Sequence, residues 1–155
     1  NNFFMGRWIK YSGWYPNFRQ PQLFKNGKMV YNTDRVHEGY NSLSNKKIGV
    51  IKNSIWQLPF KNIDEVIYKT NRYSSLGVDK LIEKGQKSSF LKAFLHGVWS
   101  FLKHYIFKLG FLDGGPGLVI AFGNFQGTFY RYIKLTEAQK NWTHPSTNPI
   151  HKHNQ

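Results

Sequence analysis

The sequence predicts a mixed α/β fold, with short strands and a hairpin over 1–60 and then about three helices over 62–138. Three observations carry that expectation. Bulky residues alternate with small or charged ones over 3–11, at the spacing of a strand. Asn26-Gly27 sits between two β-prone runs, 22–25 and 29–31, and is a strong short-range hairpin signal. From 62 onward the apolar residues recur at three- and four-residue steps, the period of a helix face.

The elements follow in order. Ser12-Gly13 and Pro16-Asn17 mark turns after the first strand. Over 46–58, Ile48, Val50, Ile51, Ile55 and Trp56 suit one strand or two short ones, ended by Pro59. Asn62 reads as the N-cap of a first helix, with Asp64 and Glu65 where the helix dipole favours acids and Gly85 as its stop. A second helix spans 88–109 and stops at Gly110; Phe90, Leu91, Phe94, Leu95, Trp99 and Leu102 lie on its apolar stripe. A third helix runs over 116–138, with Pro116 in its first turn. The last dozen residues read as a frayed tail in which His144, His151 and His153 match no metal spacing. The chain thus divides into a β portion, 1–60, a helical region, 61–140, and a flexible tail, 141–155.

Composition narrows the partners. Lys and Arg number 22 against 8 acids, a net charge of +14, so anionic partners are favoured. The 17% aromatic content argues for a folded chain and against disorder. Without cysteine there is no disulfide framework and no thiolate chemistry. Asn1 opens the chain with neither initiator Met nor signal pattern, which reads as entry in mid-sequence. The 88–109 stripe fits either core packing or an amphipathic helix at an anionic membrane, with Phe94, Trp99 and Lys103 the membrane-facing candidates. The cations are spread thinly and no nucleic-acid-binding motif occurs, so no nucleic acid is expected as partner.

Chemistry has few candidates among eight carboxylates. Glu38, in Val36-His37-Glu38-Gly39, is the candidate general base, and His37 a neighbour able to ligate a metal or orient it. Asp113, in Gly110-Phe111-Leu112-Asp113-Gly114, reads as an N-cap or turn aspartate at the entry to the third helix.

These runs, together with Gly13-Trp14-Tyr15-Pro16-Asn17, the run from Arg19-Gln20-Pro21-Gln22 to Asn26-Gly27, Asn71-Arg72-Tyr73-Ser74 and the run from Gly123 to Leu135, resemble the C-terminal half of bacterial family 2 glycosyltransferases. The subgroup is the one that builds the lipopolysaccharide core, and the likeness covers roughly residues 6–142. It implies the acceptor-side part of a GT-A fold and sugar transfer with inversion from a nucleotide-sugar donor to a glycan or glycolipid acceptor. It implies Glu38 as the base, with His37 beside the metal or diphosphate. Trp14, Tyr15, Arg19 and Gln22 would be substrate-binding. A divalent metal, Mg or Mn, would sit mainly on an Asp-x-Asp motif in an N-terminal half that this chain lacks, so transfer by the isolated chain is not expected. Asn17 departs from the aspartate the family commonly has after Tyr-Pro. The implied location is the inner face of the bacterial cytoplasmic membrane, as a peripheral protein. The alternative is a non-catalytic module for anionic lipid or polysaccharide, or less readily nucleic acid.

Overall fold

Short-range signals decide most of what forms. A computed structural model describes residues 1–14, 21, 23–31, 39–43, 49, 53–140 and 142. It is a mixed α/β chain with two small antiparallel hairpins and three helices. The chain separates into two compact units, one of Asn1–Tyr15 with Trp56–Gln155 and the other of Pro16–Ile55.

In the larger unit the single strand expected over 3–11 is instead a hairpin. Strand β1, Asn2–Phe4, pairs antiparallel with β2, Arg7–Ile9, in the register Phe3↔Trp8. Met5 and Gly6 both take positive φ, 49° and 74°, which is the turn geometry that two tightly joined strands require. Alternation alone cannot see that turn, because the bulky-small pattern continues across it. Phe4 and Ile9 then point inward and, with Ile120, form a small core against which Trp14, Phe60, Val66 and Val119 pack.

Helix α1, Ile63–Glu83, begins as its sequence indicates. The Asn62 side chain accepts from Glu65 N at 2.9 Å, and Glu65 Oε2 accepts from Lys61 N at 2.7 Å. Gly85, at φ +62°, ends it; Gly85 N and Gln86 N donate to the carbonyls of Ile82 and Leu81. Helix α2, Phe90–Leu102, is capped by Ser89, whose side chain accepts from Lys92 N. The helix expected over 88–109 continues past Leu102 as a π-helical turn, Lys103–Phe107, that widens the coil, and it stops before Leu109, which takes a left-handed φ of 53°. A 3-10 turn, Gly110–Asp113, leads into α3, Gly114–Lys140. Helix α3 is the centre of this unit, packed by α1 and by α2. Glycines make the close approaches possible: a Cβ at Gly97 would lie 3.0 Å from the Phe125 ring, and one at Gly127 3.4 Å from Thr70 Cγ2.

In the smaller unit β3, Met29–Tyr31, pairs antiparallel with β4, Tyr40–Ser42, with Val30 opposite Asn41. The expected partner, 22–25, is not in a strand where it is described. Asn26-Gly27 does form a tight turn, closed by Lys28 N donating to Lys25 O at 3.0 Å, with Gly27 at φ +74°. It turns the chain without pairing its two flanks, since Leu43 N takes the Lys28 carbonyl instead. Of the strand expected over 46–58, the described part contains a parallel bridge between Gln57 and Asn2; the rest lies outside the described residues.

Candidate functional site

The apolar stripe of α2 faces outward. Its buried positions are the small ones, Ala93 and Gly97, which meet α3, while Ser100 Oγ donates to Asn124 O at 3.2 Å. Phe90, Leu91, Phe94, Leu95 and Trp99 stay exposed; Phe94 is 51% and Trp99 57% accessible. Ile106, Phe107, Leu109, Phe111 and Leu112, which follow along the chain, and Leu118 and Phe122 of α3 are exposed as well. A water-facing helix normally buries its large residues and shows its small or polar ones; this arrangement is the reverse, and is how helices pack where lipid is the solvent. Phe94 sets its edge on Phe125, which stacks on Phe122 and Phe129, and Trp99 tilts against Phe107 at 5.6 Å. The face is thus a set of aromatic rings held in place by their neighbours. Lys103, Lys87 and Lys108 are exposed in the same stretch. Among the described residues no single helix is long and apolar enough to cross a membrane; Phe90–Phe107 and Gly110–Lys140 together reach that length and composition, but with a 68° bend.

The glycine-rich run from Gly110 to Gly117 packs closely against the end of the first hairpin and the π-helical turn. Asp113, 1% exposed, accepts three hydrogen bonds. Lys10 N donates to Oδ1 at 3.0 Å, and Tyr11 N and Ser12 Oγ donate to Oδ2 at 3.0 and 2.7 Å. Ser12 N donates to Lys108 O, and Arg7 Nη2 to Leu112 O, both at 3.0 Å. Asp113 therefore ties down the end of the first hairpin, where an N-cap role would have turned it onto α3. Glycine is required at both ends of this run. A Cβ at Gly110 would lie 2.6 Å from His104 O, and one at Gly117 would overlap the Gly110 carbonyl.

The sequence-derived candidates fall unevenly. His37, Glu38, Tyr15, Arg19 and Gln22 lie outside the described residues, His37 and Glu38 falling in sequence between β3 and β4. Trp14 is half-buried and packs on Phe4 and Phe60 at 5.5 and 5.7 Å, with its carbonyl accepting from Asn2 Nδ2. Among the described residues no three His, Cys, Asp or Glu side chains converge as a metal site requires.

Sequence reasoning did not single out the seam between α1 and α3. Arg131 of α3 lies across Gly77 of α1, where a Cβ would be 2.5 Å from its Nε. Lys134, one turn on, donates to Asn71 O, Asn71 Oδ1, Ser74 Oγ and Ser75 Oγ at 2.7–3.1 Å. The legible signal was glycine in mid-helix, Gly77 on one side and Gly123 and Gly127 on the other, with arginine four residues beyond the last. At the helix entry, hydrogen bonds from Lys69 and then from Lys61 N hold the Glu65 carboxyl below its ordinary range.

The architecture is that of a mixed α/β protein in which α2 presents an exposed aromatic face among the described residues. No family model matches the chain, and no solved structure matches it.

Proposed function

We propose that this chain is the acceptor-side part of an inverting, GT-A-type family 2 glycosyltransferase that works at an anionic membrane surface. One structural observation carries the membrane half of that reading: α2 buries Ala93 and Gly97 and turns Phe90, Leu91, Phe94, Leu95 and Trp99 outward. Such a face costs free energy in water and gains it at a lipid interface, at about 25 cal/mol per Å² of apolar area covered. A net charge of +14 adds attraction to anionic headgroups. The enzymatic half rests on the resemblance of the motif runs. In it Glu38 takes the proton of the acceptor hydroxyl, the freed oxygen bonds to the anomeric carbon, and the bond to the donor diphosphate breaks. A glycolipid acceptor held at the membrane surface would meet this face without leaving the bilayer.

Vesicle sedimentation tests the membrane reading. The chain is expected to sediment with vesicles that mix phosphatidylcholine and phosphatidylglycerol and to bind less as salt rises, because the screening length shortens to about 10 Å at 0.1 M. Failure to sediment at low salt would refute it.

A further inference from the structure

We propose that the seam between α1 and α3 around Arg131 is a binding site for a phosphate group. Arg131 Nε is buried and has no hydrogen-bond partner. Buried donors in folded proteins are satisfied with few exceptions, and an orphan points to something that fills the place. The side chain packs close to α1 at Gly77, where a Cβ would lie 2.5 Å from Nε and 3.1 Å from Cζ. In front of it opens a cavity of about 180 Å³, lined by Lys69, Thr70, Tyr73, Asn124 and Thr128. The lining includes two threonine hydroxyls, a phenol and the cations Lys69 and Arg131, donor types that suit a tetrahedral oxyanion.

The charge balance points the same way. Among the described residues the ion pair is Lys69 with Glu65, at 2.8 Å. Lys69 also donates to Pro59 O, so its charge is partly spent. Lys134 is surrounded by neutral oxygens, three protons for four acceptors, and contributes field without a free donor. Arg131 thus brings a full charge with no carboxylate beside it. A water molecule would satisfy Nε alone; an oxyanion would accept from the guanidinium and also balance its charge. Phosphate suits it better than a carboxylate, because the planar fork meets two oxygens while the Thr70 and Thr128 hydroxyls reach a third.

The ligand chemistry is a phosphate monoester or free phosphate, and its source is a lipid headgroup or a soluble compound. The site stands independently of the membrane reading: a chain that binds phosphate but no vesicle keeps this proposal and loses the other.

The test uses the whole chain in two arms. Calorimetric titration with inorganic phosphate at low salt forms the first. Sedimentation with phosphatidylcholine vesicles, with and without phosphatidic acid, forms the second. Arg131→Gln is expected to weaken binding about tenfold or more, the loss of a charge-assisted pair. Lys84→Gln removes the same charge at the exposed end of α1 and should leave the affinity within about twofold, since surface charges contribute little. Loss in both arms identifies a phosphate site reachable from a membrane. Loss in the soluble or the vesicle arm alone identifies a soluble or a headgroup source. Unchanged binding by Arg131→Gln in both arms overturns the proposal, as does an equal loss on Lys84→Gln. Should Arg131→Gln fail to fold, amide NMR of the unaltered chain titrated with inorganic phosphate decides. Shifts concentrated at Thr70, Gly127, Thr128 and Arg131 support the site, and shifts elsewhere refute it.

Discussion

Replacing Asp113 with alanine removes one carboxylate and strands three donors. Lys10 N, Tyr11 N and Ser12 Oγ lose acceptors at 3.0, 3.0 and 2.7 Å. Each buried donor left unsatisfied costs about 1–3 kcal/mol. Lys10 and Tyr11 lie near the surface, where water can replace part of the loss, while the Ser12 hydroxyl is buried. The net expectation is a destabilisation of about 3–5 kcal/mol. For a chain of this size that lowers the thermal midpoint by roughly 10 °C. Urea unfolding followed by circular dichroism gives the free energy, and a cycle with Ser12→Ala isolates the shared bond. The single and double variants should be non-additive by about 1 kcal/mol or more, as for residues in contact. A loss under about 1 kcal/mol on Asp113→Ala, or additivity in the cycle, would show that the three bonds exchange freely with water. Asp113 would then not fix the end of the first hairpin.

Gly117→Ala should destabilise by about 3 kcal/mol, because the obstruction is the Gly110 carbonyl and backbone cannot swing aside. Gly115→Ala, which meets nothing within 4 Å, should be neutral or gain up to about 1 kcal/mol; equal behaviour in thermal melts would contradict the packing described. Glu65, whose carboxyl is held below its ordinary range, stabilises the charged form of the folded state. Its contribution is present above the unfolded carboxylate pKa and is lost as pH falls through the lowered folded value. The melting advantage of the unaltered chain over Glu65→Gln should therefore shrink on acidification and be unchanged between neutral and mildly alkaline pH. On the proposed function, Glu38→Gln in an active transferase containing this chain should cut transfer about 10²–10⁴-fold while donor still binds; turnover near that of the unaltered protein would remove Glu38 as base.

What could be read from the sequence was what neighbouring residues decide among themselves. Asn62 caps its helix through a bond three residues away, and Gly85 stops it with a backbone angle other residues resist. The pairing of β3 with β4 was not legible, because Asn26-Gly27 announces a turn but not whether its flanks join. The turn at Met5-Gly6 escaped because a left-handed methionine is unusual and Gly6, its one local signal, fits the small position of an alternating strand as well. The α2 stripe shows why amphipathicity stops short of function. Its period names an apolar face, but only the third dimension tells that Ala93 and Gly97 are covered and Trp99 is not. Arg131 is the same lesson on the polar side: Gly77, having no Cβ, lets α1 approach its Nε, a close approach that the sequence does not announce. His37 and Glu38, the candidate base and its neighbour, lie outside the described residues.

The outward face of α2 is the central claim, and quenching of Trp99 by lipids brominated along the acyl chain tests it most directly. The difference in fluorescence between the unaltered chain and Trp99→Phe isolates that indole, and Trp14, packed on Phe4 and Phe60, serves as the inward reference. With the chain bound to anionic vesicles, the Trp99 signal should be strongly quenched and the Trp14 signal should not. A chain that sediments with the vesicles while its Trp99 emission is unquenched would be held by charge alone, and the claim that this face enters lipid would be contradicted.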